Sequence, residues 1–336
     1  MRLLFHALCV LHCITLSYAG NKELQKLVKM VNSLNTTWKA SEEIFDSIPD
    51  EVFEQLYGTT FNSTDNIEVL SSFAYANTGM IPESFDARTQ WPHCPTIRYI
   101  REQGRCGNCW AVAATEAMSD RYCIHLGKVL SLSAADPTTC CTRCRPKPAG
   151  CRGAYGPEAW IYWKEEGIVS GGDYRSESGC KPYIFPPLTK SKYDVKPSKA
   201  VTPSCIRRCR PGYKSSFNDD KHYGKRVYKI RGRTIRENEM AIQMEIMTNG
   251  PVQAGIKVYE DFLGYKSGVY QHHYGRLKGG HAVKIIGWGV ENNVTPYWLV
   301  ANSWSRKWGM NGCFKIRRGR NEGNIEGRVV AGLPMY

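Results

Sequence analysis

QGRCGNCWAVAATEAMSDRYCI, residues 103–124, begins as a glycine-bearing loop and continues as a helix. From Cys109 onward Ala, Val and Met recur on a helical stripe, with Gly104 and Gly107 just ahead of it. The pattern predicts a helix over 109–124, with Cys109 in its first turn. A shorter helix is predicted over 157–166. Farther along, HAVKIIGWGV (281–290) and PYWLVANSW (296–304) are β-branched, rich in aromatics and bounded by Gly or Pro, which predicts strands. Helices first and strands second give an α+β chain: a mainly helical half, then an antiparallel β-barrel-like half. A cleft between two such halves is a usual place for a site. The stretch 181–204 is rich in Pro and Lys, lacks apolar periodicity and reads as a long loop.

The chain has 336 residues, 42% of them hydrophobic and 23% charged, which excludes a disordered or fibrous protein and suits one large or two modest domains. Arg2, the apolar run LLFHALCVLHCITL and the small residues Ser17 and Ala19 form a secretory signal over residues 1–19. Beyond it no apolar run reaches the ~18 residues of a membrane span. The expected destination is the secretory pathway, ending in a lysosome or outside the cell, a digestive lumen included. Fourteen cysteines and sequons at Asn35, Asn62 and Asn293 fit that route.

Residues 20–80 read as a separate unit. Leu24, Leu27, Val28 and Val31 form one apolar helical face, and little else there could make a core. This segment carries −5, while the body from Ile81 carries +18, so the two can attract each other.

Three short blocks suggest chemistry: QGRCGNCWA (103–111), GGHAVKIIGWG (279–289) and YWLVANSW (297–304). A thiol attacks only as its thiolate. The N-terminus of a helix and a nearby imidazolium both favour that form, and the imidazolium can later protonate a leaving amine. Cys109 begins the helix, and His281 begins a strand in the other half. Asn302 could orient the imidazole, and the Gln103 amide could join the Cys109 backbone N–H around a developing oxyanion. Two rivals are a redox pair at Cys106–Cys109 and a zinc set of Cys140, Cys141, Cys144 and Cys151.

With these blocks in view, the chain resembles the papain family of cysteine proteases, and within it the cathepsin B group. CGNCW (106–110) sits where that family carries its C-G-[SA]-C-[WY] signature. IPESFDARTQWPHCPTIRYIREQGRCGNCWA, the Cys140–Cys141 pair, DKHYG, VYEDFL, YKSGVYQH, GGHA and NTTW extend the likeness. The resemblance implies a papain-like fold of two subdomains with the active site between them. It implies a precursor: signal peptide 1–19, inhibitory propeptide 20–80 and peptidase domain 81–336, with a long loop at about 180–209. It implies Cys109 as nucleophile, His281 as acid and base, Asn302 as orienter, Gln103 as oxyanion donor and Trp304 as a shield over the Asn–His bond. Gly153, Ala154, Gly280 and Arg328 would meet substrate. Five disulfides are implied: Cys94–Cys123, Cys106–Cys151, Cys140–Cys205, Cys141–Cys144 and Cys180–Cys209. Cys109 would stay free, with Cys313 left over as a buried thiol. No cofactor or metal is expected. Implied partners are peptide and protein substrates, the chain's own propeptide and cystatin-type inhibitors. The body's charge and the basic run 225–236 add a polyanion such as a glycosaminoglycan.

The chain also departs from the group. The group's occluding loop carries two adjacent His that hold a substrate's C-terminal carboxylate; here no His lies between Cys180 and Cys209, and Leu188-Thr189-Lys190-Ser191 stands at that place. Endopeptidase activity should dominate over dipeptide release, with Lys190 and Lys192 as weak substitutes for the clamp. The resemblance puts Arg328 at the base of the S2 pocket, where the group is often acidic, so Arg at P2 should be rejected and apolar or acidic P2 accepted. Ala154 replaces a Gly, Asn108 a Ser, and Ser305-Arg306-Lys307 is unusual. These changes keep one alternative function open, a catalytically weakened homologue that binds peptides or inhibitors.

Overall fold

A computed structural model describes residues 25–42, 50–60, 67–71, 80–147, 149–188 and 201–336. Residues 1–19, read above as a signal, with Leu24, Asn62 and loop residues 189–200, Lys190 and Lys192 included, lie outside them.

The helix that begins at Cys109 runs to Leu126 and is buried over most of its length. Its small residues are the reason. Ala111, Ala114 and Ala117, with Met118, let Trp160 and Trp163 of the Glu158–Glu166 helix pack closely on one side. Ala113 meets Ala282 of the sheet on the other. Gly127 ends the helix at φ 64°, a left-handed cap that suits glycine. Two fully buried ion pairs tie this helix to the other half, Lys284–Asp120 at 2.7 Å and Arg121–Glu245 at 2.8 Å. Arg121 also donates to the carbonyls of Gly250, Pro251 and Gly332. Breaking one such pair costs about 3–5 kcal/mol, because a buried charge is left alone.

The second half is not a barrel, which corrects the expectation from sequence. Its main sheet has ten strands in an open order. The order runs from Trp38–Ala40 through Tyr265–Tyr270, Cys313–Arg317, Thr295–Ala301, Leu277–Glu291, Val252–Tyr259, Val329–Pro334 and Gly224–Ile230 to Glu68–Leu70. Phe85–Asp86 adds to the side of Leu277–Glu291. The two end strands do not pair with each other, and two of the pairings are parallel. The physical reason lies at the ends: each is taken by a three-residue strand of the 20–80 segment, which uses the hydrogen-bonding edge that closure would need. A helix over Ile235–Asn249 also packs on this sheet and has no counterpart in the reading from sequence.

The N-terminal segment is part of the core. Leu27, Val28 and Val31 are buried on one face of a helix over 25–33, and Trp38 stacks on Tyr265 and meets Tyr270 at a tilt. Val52, Phe53 and Leu56 are buried as well. Ion pairs between segment and body include Arg226–Glu68 and Lys278–Glu54, all partly exposed. A buried large apolar side chain contributes roughly 1.5–3 kcal/mol and an exposed ion pair roughly 0–1. Apolar packing therefore outweighs charge in holding the segment. Arg226 holds the Glu68 carboxyl below its usual range. That pair supports docking above the ordinary Glu pKa and fails as pH falls through the lowered one, a small effect for side chains this exposed.

Candidate active site

Cys109 opens its helix with no side-chain cap at Asn108, and the Trp110 amide of the first turn, with those of Gly58 and Ala282, meets its buried sulfur. Ala282 packs against it, which brings the start of the helix to the strand that carries His281. His281 Nε2 and Asn302 Oδ1 are 2.8 Å apart, and both residues are buried. Asn302 Oδ1 also accepts from the Ser303 N–H at 2.8 Å, so the amide's orientation is fixed from its own chain. The Trp304 ring lies 4.7 Å from the His281 ring and covers it.

Gln103 is clamped on several sides. Its backbone N–H donates to Ser303 O, and Ser303 Oγ donates to Gln103 Oε1 at 2.7 Å. Its Nε2 donates to Cys106 O at 2.8 Å and to Leu56 O at 3.0 Å. A carbonyl of the N-terminal segment thus takes a Gln103 side-chain N–H.

The segment continues through the cleft. Phe53 and Tyr57 meet the Trp304 ring edge-on. The Gly58 N–H donates to Gly280 O, and Ala154 N–H donates to Gly58 O at 2.9 Å. Thr59 and Thr60 then pair in parallel with Ala154 and Tyr155. Thr59 Oγ1 stands 3.4 Å from Cys109 Sγ. Gly153 has φ 96°, and a Cβ there would lie 2.5 Å from Gly58 O, so only glycine fits. Gly153, Ala154 and Gly280 therefore all face residue 58.

This cover changes the charge state. Burial pushes the Cys109 thiol up, against the Thr59 hydroxyl and the amides of Ala282, Gly58 and Trp110. Burial likewise pushes His281 down to about 4, with Asn302 and the Leu56 carbonyl working the other way. Both groups are held neutral under the segment.

Disulfides join Cys94–Cys123, Cys106–Cys151, Cys140–Cys205, Cys141–Cys144 and Cys180–Cys209. Cys106 is thus bonded to Cys151 and unavailable as a redox partner of Cys109. The four cysteines weighed as a zinc set are all in disulfides. Cys109 and Cys313 are free and buried.

A profile of the papain family cysteine proteases matches residues 81–333. The chain is 50% identical over 259 residues to a cathepsin B-like cysteine proteinase of Schistosoma japonicum, covering 75% of this chain and 73% of that one. It is 43% identical over 323 residues to cathepsin B-like cysteine proteinase 4 of Caenorhabditis elegans, covering 93% of each. Procathepsin B S9 of Trypanosoma congolense superposes with a TM-score of 0.79 at 36% identity, over 92% of this chain and 97% of that one. The chain belongs to the papain family. It is a cathepsin B-like cysteine protease.

In this protease a cavity of about 440 Å³ lies beside Thr59 and Thr60. Lys229, Arg231 and Arg328 line it together with Asn238, Asn321 and Asn324. No carboxylate lines it among the described residues. Arg328 is half-buried in its wall, and its carbonyl accepts from the Gly255 N–H at 3.0 Å. The residues ahead of loop 189–200 are closer to Gln103 and Cys109 than the sequence suggests. Tyr183 reaches the backbone of Gln103, and its ring at the head of a Pro-rich stretch gave no signal of that role. Of the sequons, Asn35 and Asn293 are exposed. Among the described residues no helix is long and apolar enough to cross a membrane.

Proposed function

We propose that the chain is a precursor whose residues 20–80 lie over the active site of a peptidase domain, residues 81–336, until they are removed. The observation that carries this is the Leu56 carbonyl on Gln103 Nε2, beside a neutral Cys109 and His281. After removal the Cys109 sulfur regains solvent and the imidazole, and the proton passes from thiol to ring. The thiolate adds to the substrate carbonyl carbon. The carbonyl oxygen takes the electron pair and is held by Gln103 Nε2 and the Cys109 backbone N–H. The imidazolium, oriented by Asn302 under Trp304, then gives its proton to the leaving amine, and water attacks the acyl-enzyme in the second half.

Endopeptidase action is the reading that the loop composition favours, since a stretch without His between Cys180 and Cys209 offers no imidazole pair for a terminal carboxylate. Mass spectrometry of a mixed peptide digest by the processed protein, with a Cys109→Ala control, tests this. Internal cuts that ignore C-terminal amidation are expected. Stepwise loss of dipeptides that stops on amidation refutes it.

The cationic cavity supports a P2 preference for acidic or apolar side chains and rejection of Arg. Arg328→Glu is expected to move kcat/KM for P2 Arg over P2 Glu upward by at least about tenfold, 1.4 kcal/mol in charge contact. A P2 library on both proteins measures it, and wild-type preference for P2 Arg overturns it. Exposed Asn35 and Asn293 and the leader-like residues 1–19 support a secretory route to a lysosome or an extracellular space. Cystatin-type inhibitors would compete for the same cleft. In the basic run 225–236, Arg226 and Arg233 already pair with Glu68 and Glu237, which leaves polyanion binding a secondary partner reading.

A further inference from the structure

Tyr183 stands three residues after Cys180, at the head of the long loop. Its hydroxyl proton is shared between Gln103 O at 2.8 Å and Asn108 Oδ1 at 2.9 Å. Asn108 Nδ2 in turn donates to Thr138 Oγ1 at 2.9 Å, and Thr138 Oγ1 donates to Ala134 O at 2.6 Å. Burial keeps the phenol above its usual range, so it stays a donor. The residues that follow press on the same place. At Gly104, with φ 61°, a Cβ would lie 2.4 Å from Pro186 O and 3.1 Å from Phe185 Cβ.

The middle of loop 103–108 is fixed by the Cys106–Cys151 disulfide and the Gly107 N–H on Cys151 O, and its two ends are gripped by separate groups. Ser303 grips the Gln103 side chain from the sheet half. Tyr183 grips the Gln103 carbonyl and, through Asn108, the residue just ahead of Cys109. The two donors of the oxyanion site, Gln103 Nε2 and the Cys109 N–H, are the two ends of this loop. Their separation and aim depend on how the loop is fastened.

We propose that Tyr183 is a positioning residue for peptide-bond hydrolysis, its hydroxyl fixing the 103–108 loop so that both donors aim at one point. This rests on the oxyanion role given to Gln103 above. Preplaced donors matter because they act without reorganisation when charge develops, and losing one outright typically costs about 10²–10³ in kcat. Loosening two without removing either costs less.

The test uses Tyr183→Phe, which removes one oxygen and keeps the ring. Full-length protein is processed, and active sites are counted by titration. Expected are a roughly five- to thirtyfold lower kcat on a peptide amide, a KM within about twofold of wild type, and equally weakened binding of a peptide aldehyde, whose thiolate adduct puts an oxygen in the same place. Alkylation of Cys109 by iodoacetamide develops no oxyanion, so its rate and pH profile stay at wild type. Parallel falls in alkylation and hydrolysis would mean a general structural role and overturn the proposal. Gln103→Ala is run beside it. If Gln103→Ala hydrolyses normally, the oxyanion reading itself fails. If Gln103→Ala is slow and Tyr183→Phe has wild-type kcat and aldehyde affinity, the positioning role alone fails.

Discussion

Cys109 in the full-length precursor is expected to be alkylated about a hundredfold more slowly at pH 5 than in the processed enzyme, whose rate should be nearly flat from about pH 5 to 8. Under the segment the thiol is pushed above its ordinary value and the imidazole is pushed down to about 4. The covered pair is a thiol beside a neutral ring, so the thiolate fraction is tiny and grows with each unit of pH. Once uncovered, thiolate and imidazolium stabilise each other, and a His-paired Cys is ionised down to about pH 3–4. A low-pKa thiolate is intrinsically the weaker nucleophile, which offsets part of the gain. With relief of burial added, about a hundredfold contrast at pH 5 is expected. Between about pH 4 and 8 both states hold one proton on the pair, on sulfur when covered and on the ring when open. The pair therefore adds no pH dependence to docking in that window, and acid release of the segment must come from carboxylates such as Glu68. Iodoacetamide rates across pH on precursor and processed protein decide it. Two coincident profiles would refute the neutral covered pair.

Gly58→Ala is expected to unseat the segment and give the uncleaved precursor at least about thirtyfold more peptidase activity. A Cβ at residue 58 would sit 1.7 Å from Gly107 O and 2.3 Å from Gly107 C. Both are backbone atoms, fixed by the Gly107 N–H donating to Cys151 O beside a disulfide. The loop cannot yield, so the segment must. Lifting it breaks the Gly58 bonds to Gly280 and Ala154 and releases the Leu56 carbonyl from Gln103. Overpacking of this kind costs about 1–3 kcal/mol, and the lost contacts add to that, so a thirtyfold change is a modest expectation. Activity on a small peptide in the first moments, before processing, reads it out. Unchanged inhibition in Gly58→Ala would show that the cleft is covered some other way.

Much of the site was legible because its signals are local. Glycines before an Ala-rich helix set Cys109 at the helix start, and β-branched runs flanked by Gly or Pro placed His281 on a strand and Asn302 on another, though Asn302 in fact lies one residue past the end of Thr295–Ala301. The course of residues 53–60 was not legible, because its partners Gly280, Gln103 and Ala154 lie far off in sequence. Nothing in the local pattern of QLYGTT marks them. The open sheet was missed for the same reason. Alternation predicts strands but not whether the last pairs with the first, and both end strands come from a segment read as a separate unit. The Ile235–Asn249 helix could have been found. Thr234 accepts from the Glu237 N–H at 3.1 Å, the cap that T-x-x-E advertises, but the basic run drew the reading toward charge.

Removing residues 20–80 does more than free a sulfur. It also strips the short strands at both margins of the sheet, so Tyr265–Tyr270 and Gly224–Ile230 are left with rows of unsatisfied backbone groups on one side. Bare seams of that kind invite strands from other molecules, and lysine or arginine along them is a common deterrent. Lys266 lies on one margin, and Lys225, Arg226 and Lys229 on the other. A form processed in this way would rely on electrostatic repulsion along those seams, and its colloidal stability should decline as salt rises.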